Sequence, residues 1–155
     1  MKKLLLFGFV IILLILVASG LYFLYELHNK NKLVIQTHSG SVSLVVEVAD
    51  TLEKQMQGLM FRQEMSDNAG MLFVFSQFKM VYMWMKNTYI PLDMIFFDET
   101  GKITHIHLNA KPHDESIISS GVPAKGVVEV NAGFVEKHHI SVGQQIRHAV
   151  LNFNK

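Results

Sequence analysis

The chain has 155 residues, 50% of them hydrophobic and 17% charged, with a formal net charge of +1 and no cysteine. That length fits one domain, and the missing thiols exclude disulfides, zinc–thiolate centres and a cysteine nucleophile. From Leu33 onward ten Lys/Arg stand against twelve Asp/Glu, so the positive excess belongs to the N-terminal flank; without a basic stripe, no nucleic-acid partner is expected.

Leu4 to Tyr25 runs without a charged residue. As a helix at about 1.5 Å per residue it would be roughly 33 Å long, enough for a hydrocarbon core of about 30 Å. Lys2 and Lys3 precede it, which favours a cytoplasmic start. Residues 1–25 are therefore expected to be a single-pass anchor in the cytoplasmic membrane. Residues 26–32 would be a polar tether, and 33–155 an extracytoplasmic, periplasm-facing domain. The rival is a signal peptide cleaved at Ala18-Ser19-Gly20, but the apolar run continues to Tyr25, beyond the usual core of about 7–15 residues. Both readings export the domain.

Leu33–Thr37 reads as a strand, and His38-Ser39-Gly40-Ser41 as a turn. Val42–Val48 alternates, with Val42, Leu44, Val46 and Val48 on one face, the period of a half-buried strand. Asp50 with Glu53 predicts a helix from Thr51 to about Met60. Short apolar runs at Met71–Phe75, Val81–Met85, Met94–Phe97 and Lys102–Leu108 predict four strands. Asp98-Glu99-Thr100-Gly101 predicts a hairpin turn between the last two. Asn109–Lys125, with Pro112, Gly121 and Pro123, reads as irregular, and Ile117 and Ile118 as exposed side chains suited to a partner or lid. Val127–Val130 is a strand, Ala132–His138 a short helix, and Gln144–Leu151 a final strand. The fold class is mostly β, a barrel or sandwich with one or two short helices, behind one N-terminal transmembrane helix.

Four segments together resemble the domain of unknown function 192 family, small proteins of bacteria and archaea. They are Gly58–Arg62, Gly70–Phe75, Trp84–Asp93 and Glu129–Gly133; Ile106–Ala110 with Pro112 is similar to a fifth. The likeness runs from about Val42 to Ile146. Family members often carry an acidic residue where Leu108 and Gln144 stand here. The resemblance implies a β-rich fold and frequent export, and no established activity.

Charges embedded in apolar runs are costly to bury unless paired or turned to a cleft. Arg62, Lys86, Asn87, Asp93 and Glu129 stand in or beside such runs. One reading pairs Lys86 with Asp93 and Arg62 with Glu129 as scaffold. The other makes these groups, with Trp84 and Tyr89 as apolar wall, the floor of a pocket for a small ligand. The working expectation is a membrane-anchored binding module for a small ligand or envelope protein, without a cofactor. One alternative is an envelope hydrolase using Asp93, Glu129 and Lys86, although no G-x-S-x-G, H-E-x-x-H or phosphate loop occurs. Another is Cu(I) binding by the soft thioethers of Met80, Met83 and Met85, with His107 as a further metal candidate. Eight of the nine methionines lie between Met56 and Met94, where core packing is the plainer use.

Overall fold

A computed structural model describes the backbone of residues 2–151, and their side chains apart from 2–10 and 26–29. The chain divides into two compact units, Met1–Lys30 and Asn31–Lys155. The first is a continuous helix, α1 (Lys2–Lys30). The expected tether is thus helical up to Lys30. Among the described residues no helix is long and apolar enough to cross a membrane. The side chains of the span expected over Leu4–Tyr25 lie in part outside them; the described side chains of α1, residues 11–25 and Lys30, are exposed.

In the second unit, strands β1 (Lys32–Thr37) and β2 (Gly40–Ala49) form a hairpin closing at Thr37 and Gly40. Helix α2 (Leu52–Gln57) then crosses to β3 (Ala69–Lys79), which runs parallel to β2. Thr51 caps α2 by accepting from the Lys54 N–H, and the helix stops where Gly58 turns to φ +48°. The remaining elements are β4 (Tyr82–Met83), β5 (Leu92–Phe97), β6 (Ile103–Ala110), β7 (Ile118–Ser119), β8 (Ala124–Asn131), α3 (Phe134–Lys137) and β9 (Gln145–Arg147).

Seven strands make one sheet in the order β6-β5-β8-β3-β2-β1-β9, and β4 and β7 pair as a separate ribbon. The sheet curls until its outer strands meet: Lys102 bridges Gln145, and the Ile103 N–H donates to the Gln144 carbonyl at 2.8 Å. It is a partly closed barrel, and the expected mostly β class holds at that level. The hairpin at Asp98–Gly101 is present, tightened by Asp98 Oδ1 accepting from the Thr100 and Lys102 N–H groups.

Three expectations need correction. The strand read over Val81–Met85 shrinks to Tyr82–Met83, and the irregular stretch supplies its partner at Ile118–Ser119. Ile118 is therefore buried, while Ile117 is exposed. The last strand is only Gln145–Arg147.

Alternation along the strands produces two cores. Leu33, Ile35, Leu44, Val46, Leu72, Ile95, Val128 and Val130 fill the inner face, closed by Phe134 and Val135 of α3. Met71, Phe73, Leu92, Met94, Phe96 and Val127 form the outer face, covered by Leu59, Val81, Met85, Ile90 and Ile118. Close approach of β8 to its neighbours requires Gly126, where a Cβ would come within 2.3 Å of both the Phe73 carbonyl and the Phe97 ring. The outer face, not the barrel interior, carries the cavity described next.

Candidate functional site

Strand pairing sets Glu129 opposite Met71 on one side and Met94 on the other, so the outer face carries a row Met71–Glu129–Met94. Glu129 is 4% exposed and, among the described residues, its carboxyl has no hydrogen-bond or ionic partner. Burial in this apolar row pushes its carboxyl up to about 8, so the neutral form prevails at neutral pH.

Glu129 lines a cavity of about 540 Å³ between the outer face and its cover. Phe73 and Phe75 reach it from β3, Gly58 and Leu59 from the turn after α2, and Tyr82 and Met83 from β4. Trp84, Lys86, Asn87 and Thr88 line it from the segment after β4, with Gln55, Met56 and Gln57 of α2 and Met60 beside them, and this is a volume typical of small-molecule sites. The segment holding Lys86 and Asn87 is pinned from two sides. The Phe61 N–H donates to the Asn87 carbonyl at 2.8 Å, and the Met85 N–H to the Asp114 carbonyl at 2.8 Å. Asn87 adopts φ +53°, a left-handed conformation that asparagine tolerates better than most residues. Lys86 Nζ lies 5.3 Å from the centre of the Trp84 ring, a cation–π contact, and has no carboxylate partner among the described residues.

Trp84, Lys86, Asn87 and Glu129 are thus gathered, whereas the other two candidates lie elsewhere. Asp93 points to the inner face, fully buried. Its Oδ1 accepts from the Asn109 N–H at 3.0 Å and its Oδ2 from the Val135 N–H, at the start of α3, at 3.1 Å. The pairing of Lys86 with Asp93 is corrected accordingly: alternation along β5 sends Leu92 and Met94 outward and Asp93 inward. Arg62 pairs with Glu47, not Glu129, through two bonds of 2.7 and 3.0 Å. That hydrogen bonding raises the guanidinium above its ordinary value. The pair is largely in water, so Arg62→Ala is expected to cost less than about 1 kcal/mol in urea unfolding. A loss above about 2 kcal/mol would mean that it does more than hold a surface loop.

Tyr89 does not line the cavity; it packs edge-on against Phe61 at 6.2 Å and against His113 at 5.0 Å. Met85 is wholly buried in the outer core, Met83 faces the cavity, Met80 is half-buried, and His107 stands opposite Met94 on β6. Among the described residues no three His, Asp or Glu side chains are grouped to hold a metal. Sequence reasoning passed over Phe73, Phe75 and Tyr82 as site residues. The parity of Met71, Phe73 and Phe75 along β3 was the available signal, since it matches one face of an adjacent Glu129.

The DUF192 family, described as Uncharacterized ACR, matches residues 34–148. A protein of Sinorhizobium meliloti 1021, described provisionally as a transcription regulator, has a crystal structure similar to this chain. The two are 44% identical over 76% of this chain and 92% of that one, with a TM-score of 0.74. A protein of unknown function from Novosphingobium aromaticivorans DSM 12444 is 34% identical over 75% of this chain and 83% of that one, with a TM-score of 0.73. No curated protein matches the chain.

Proposed function

The chain belongs to the DUF192 family, and from that premise we propose that it is a membrane-tethered binding module of the cell envelope. Its ligand is a small molecule taken into the cavity at Trp84, Lys86, Asn87 and Glu129. One observation carries this reading: Glu129, 4% exposed as a residue and with no hydrogen-bond or ionic partner for its carboxyl among the described residues, lines a cavity of about 540 Å³. Leaving such a group unpaired costs folding free energy, and proteins retain that kind of cost mainly at sites of use.

Support for the tether comes from the uncharged run Leu4–Tyr25, the continuous helix Lys2–Lys30 and the lysines at positions 2 and 3. β1 begins at Lys32, which leaves almost no linker between anchor and domain. The near-neutral domain gives no support for carrying over the transcription-regulator description of the S. meliloti relative.

Two measurements test the proposal. The detergent-solubilised full chain is screened by thermal unfolding against organic acids, amines, sugars and cell-wall fragments. A ligand at a hundred times its Kd stabilises by about 2.7 kcal/mol, a rise of several degrees. Trp84→Ala should abolish that rise without lowering the melting temperature of the empty protein, because the indole is half exposed. A reporter active only outside the cytoplasm, fused after Lys155, should be active. Silence in the whole screen sinks the binding reading, and an inactive reporter sinks the tether.

A further inference from the structure

We infer that the ligand is a small organic carboxylate, held between the Lys86 ammonium and the Glu129 carboxyl, with its apolar body against Phe73, Met83 and Trp84. This rests on the cavity being a binding site and goes on to name what it binds.

The polar groups of the lining are what choose the class. Burial between Met71 and Met94 keeps Glu129 protonated, and a protonated carboxyl has an O–H to donate. Lys86 offers only donors, with no carboxylate partner among the described residues. Asn87 and Gln57 add amides, while Gln55 already donates to the Ala49 and Val74 carbonyls and Thr88 to the Lys86 carbonyl. A lining with a fixed positive charge and a buried O–H favours an anionic acceptor. An O–H donated to a carboxylate oxygen is among the shorter and stronger hydrogen bonds. An ammonium ligand would meet the Lys86 charge and would have to ionise Glu129 against its apolar surroundings. A neutral alcohol would leave Lys86 unused. The apolar part of the lining, which includes Met56, Leu59, Met60, Phe73, Phe75 and Met83, suits a hydrocarbon or aromatic body rather than a bare inorganic anion.

Other titratable groups share this face or its lining. Tyr82 shares the lining with Lys86. Glu47, paired with Arg62, lies one strand beyond Met71, and His107 one strand beyond Met94.

The test is calorimetric titration of the full chain in detergent with three probes of similar shape: phenylacetate, 2-phenylethanol and 2-phenylethylammonium. Phenylacetate should bind at least about tenfold more tightly than either at pH 6.5, since a fixed charge and a charge-assisted bond separate it from the others. Its affinity should be level through neutral pH. Once Glu129 ionises in the free protein, it should fall by up to about tenfold per pH unit. Glu129→Gln keeps a donor, so it should retain binding and lose the alkaline fall, which assigns the fall to this group rather than to Lys86 or Tyr82. Lys86→Met should weaken phenylacetate and leave 2-phenylethanol unchanged. Tighter binding of the ammonium, or equal binding of acid and alcohol, overturns the carboxylate assignment. So does a hit from the broader screen for sugars or amines alone, and in that case the cavity would still stand as a binding site. Silence of every compound in both experiments removes the binding reading and the carboxylate together.

Discussion

Glu129→Gln is expected to raise the unfolding free energy by about 4 kcal/mol at pH 8 and by less than about 0.5 kcal/mol at pH 4.5. The sign follows from linkage. In the unfolded chain the carboxyl titrates near its ordinary 4.5, and in the folded protein near 8. Below 4.5 both states hold the proton, so the folded protein suffers no penalty. Between 4.5 and 8 only the unfolded state releases it, and stability declines by up to about 1.36 kcal/mol for each pH unit. Above 8 both states are ionised and the loss levels off. Glutamine cannot ionise, so the variant should lack this slope. For a domain of this size the gain corresponds to roughly 10 °C in melting temperature at pH 8. Urea unfolding of both proteins at pH 4.5, 6, 7 and 8 measures it. A gap between them that stays constant with pH would show that Glu129 is not the group responsible.

A substitution that stabilises the fold while altering a binding group is the expected signature of a site retained for use. A scaffold residue should behave in the opposite way: neutralising it should destabilise. Glu129 and Asp93 therefore form an internal comparison. Both are buried acids on neighbouring strands, β8 and β5, but they point to opposite faces. Among the described residues, of the two only Asp93 finds backbone donors for its oxygens.

Alternation made much of the barrel legible. Val42–Val48 reads as a strand because one of its faces meets the inner core and the other is more open, and the β5–β6 hairpin is marked by Asp98 and Gly101. The β4–β7 ribbon was not legible. Two-residue strands carry no period, and their pairing joins Tyr82 to Ser119 across a long stretch of chain. The parallel pairing of β2 with β3 is non-local in the same way. At the site, the Trp84–Asp93 segment drew notice as a unit, yet the structure divides it. Lys86 and Asn87 face the cavity, and Asp93 turns into the barrel. β5 is buried on both faces, so no alternation of polar and apolar residues says which face a side chain takes. Glu129 stood out for a simpler reason, a lone acid within Val127–Val130. Its lack of a partner could be read only once Arg62 was seen to pair with Glu47.

Asp93→Ala is expected to destabilise the domain by about 3–5 kcal/mol, the second large effect. Removing the carboxyl strands two N–H groups, those of Asn109 and Val135, which it now bonds at 3.0 and 3.1 Å. A buried donor left unsatisfied costs about 1–3 kcal/mol, and the lost side-chain volume adds a cavity term. The consequence is local as well as global. Helix α3 has only four residues, no side-chain cap from Gly133, and depends on Asp93 at its start to present Phe134 and Val135 to the inner core. Asp93→Asn keeps one oxygen and turns an amide N–H2 toward the other donor, so about 1–3 kcal/mol is expected. Amide exchange at Val135 and Asn109 should accelerate in both variants, while exchange in β1 and β2 changes only with global stability. An Asp93→Ala cost below about 1 kcal/mol, with unchanged exchange at Val135, would refute the capping role. Asp93 would then need another explanation for its burial. If the cost appears as expected, Asp93 is scaffold, and of these two buried acids it is Glu129 that carries the functional chemistry.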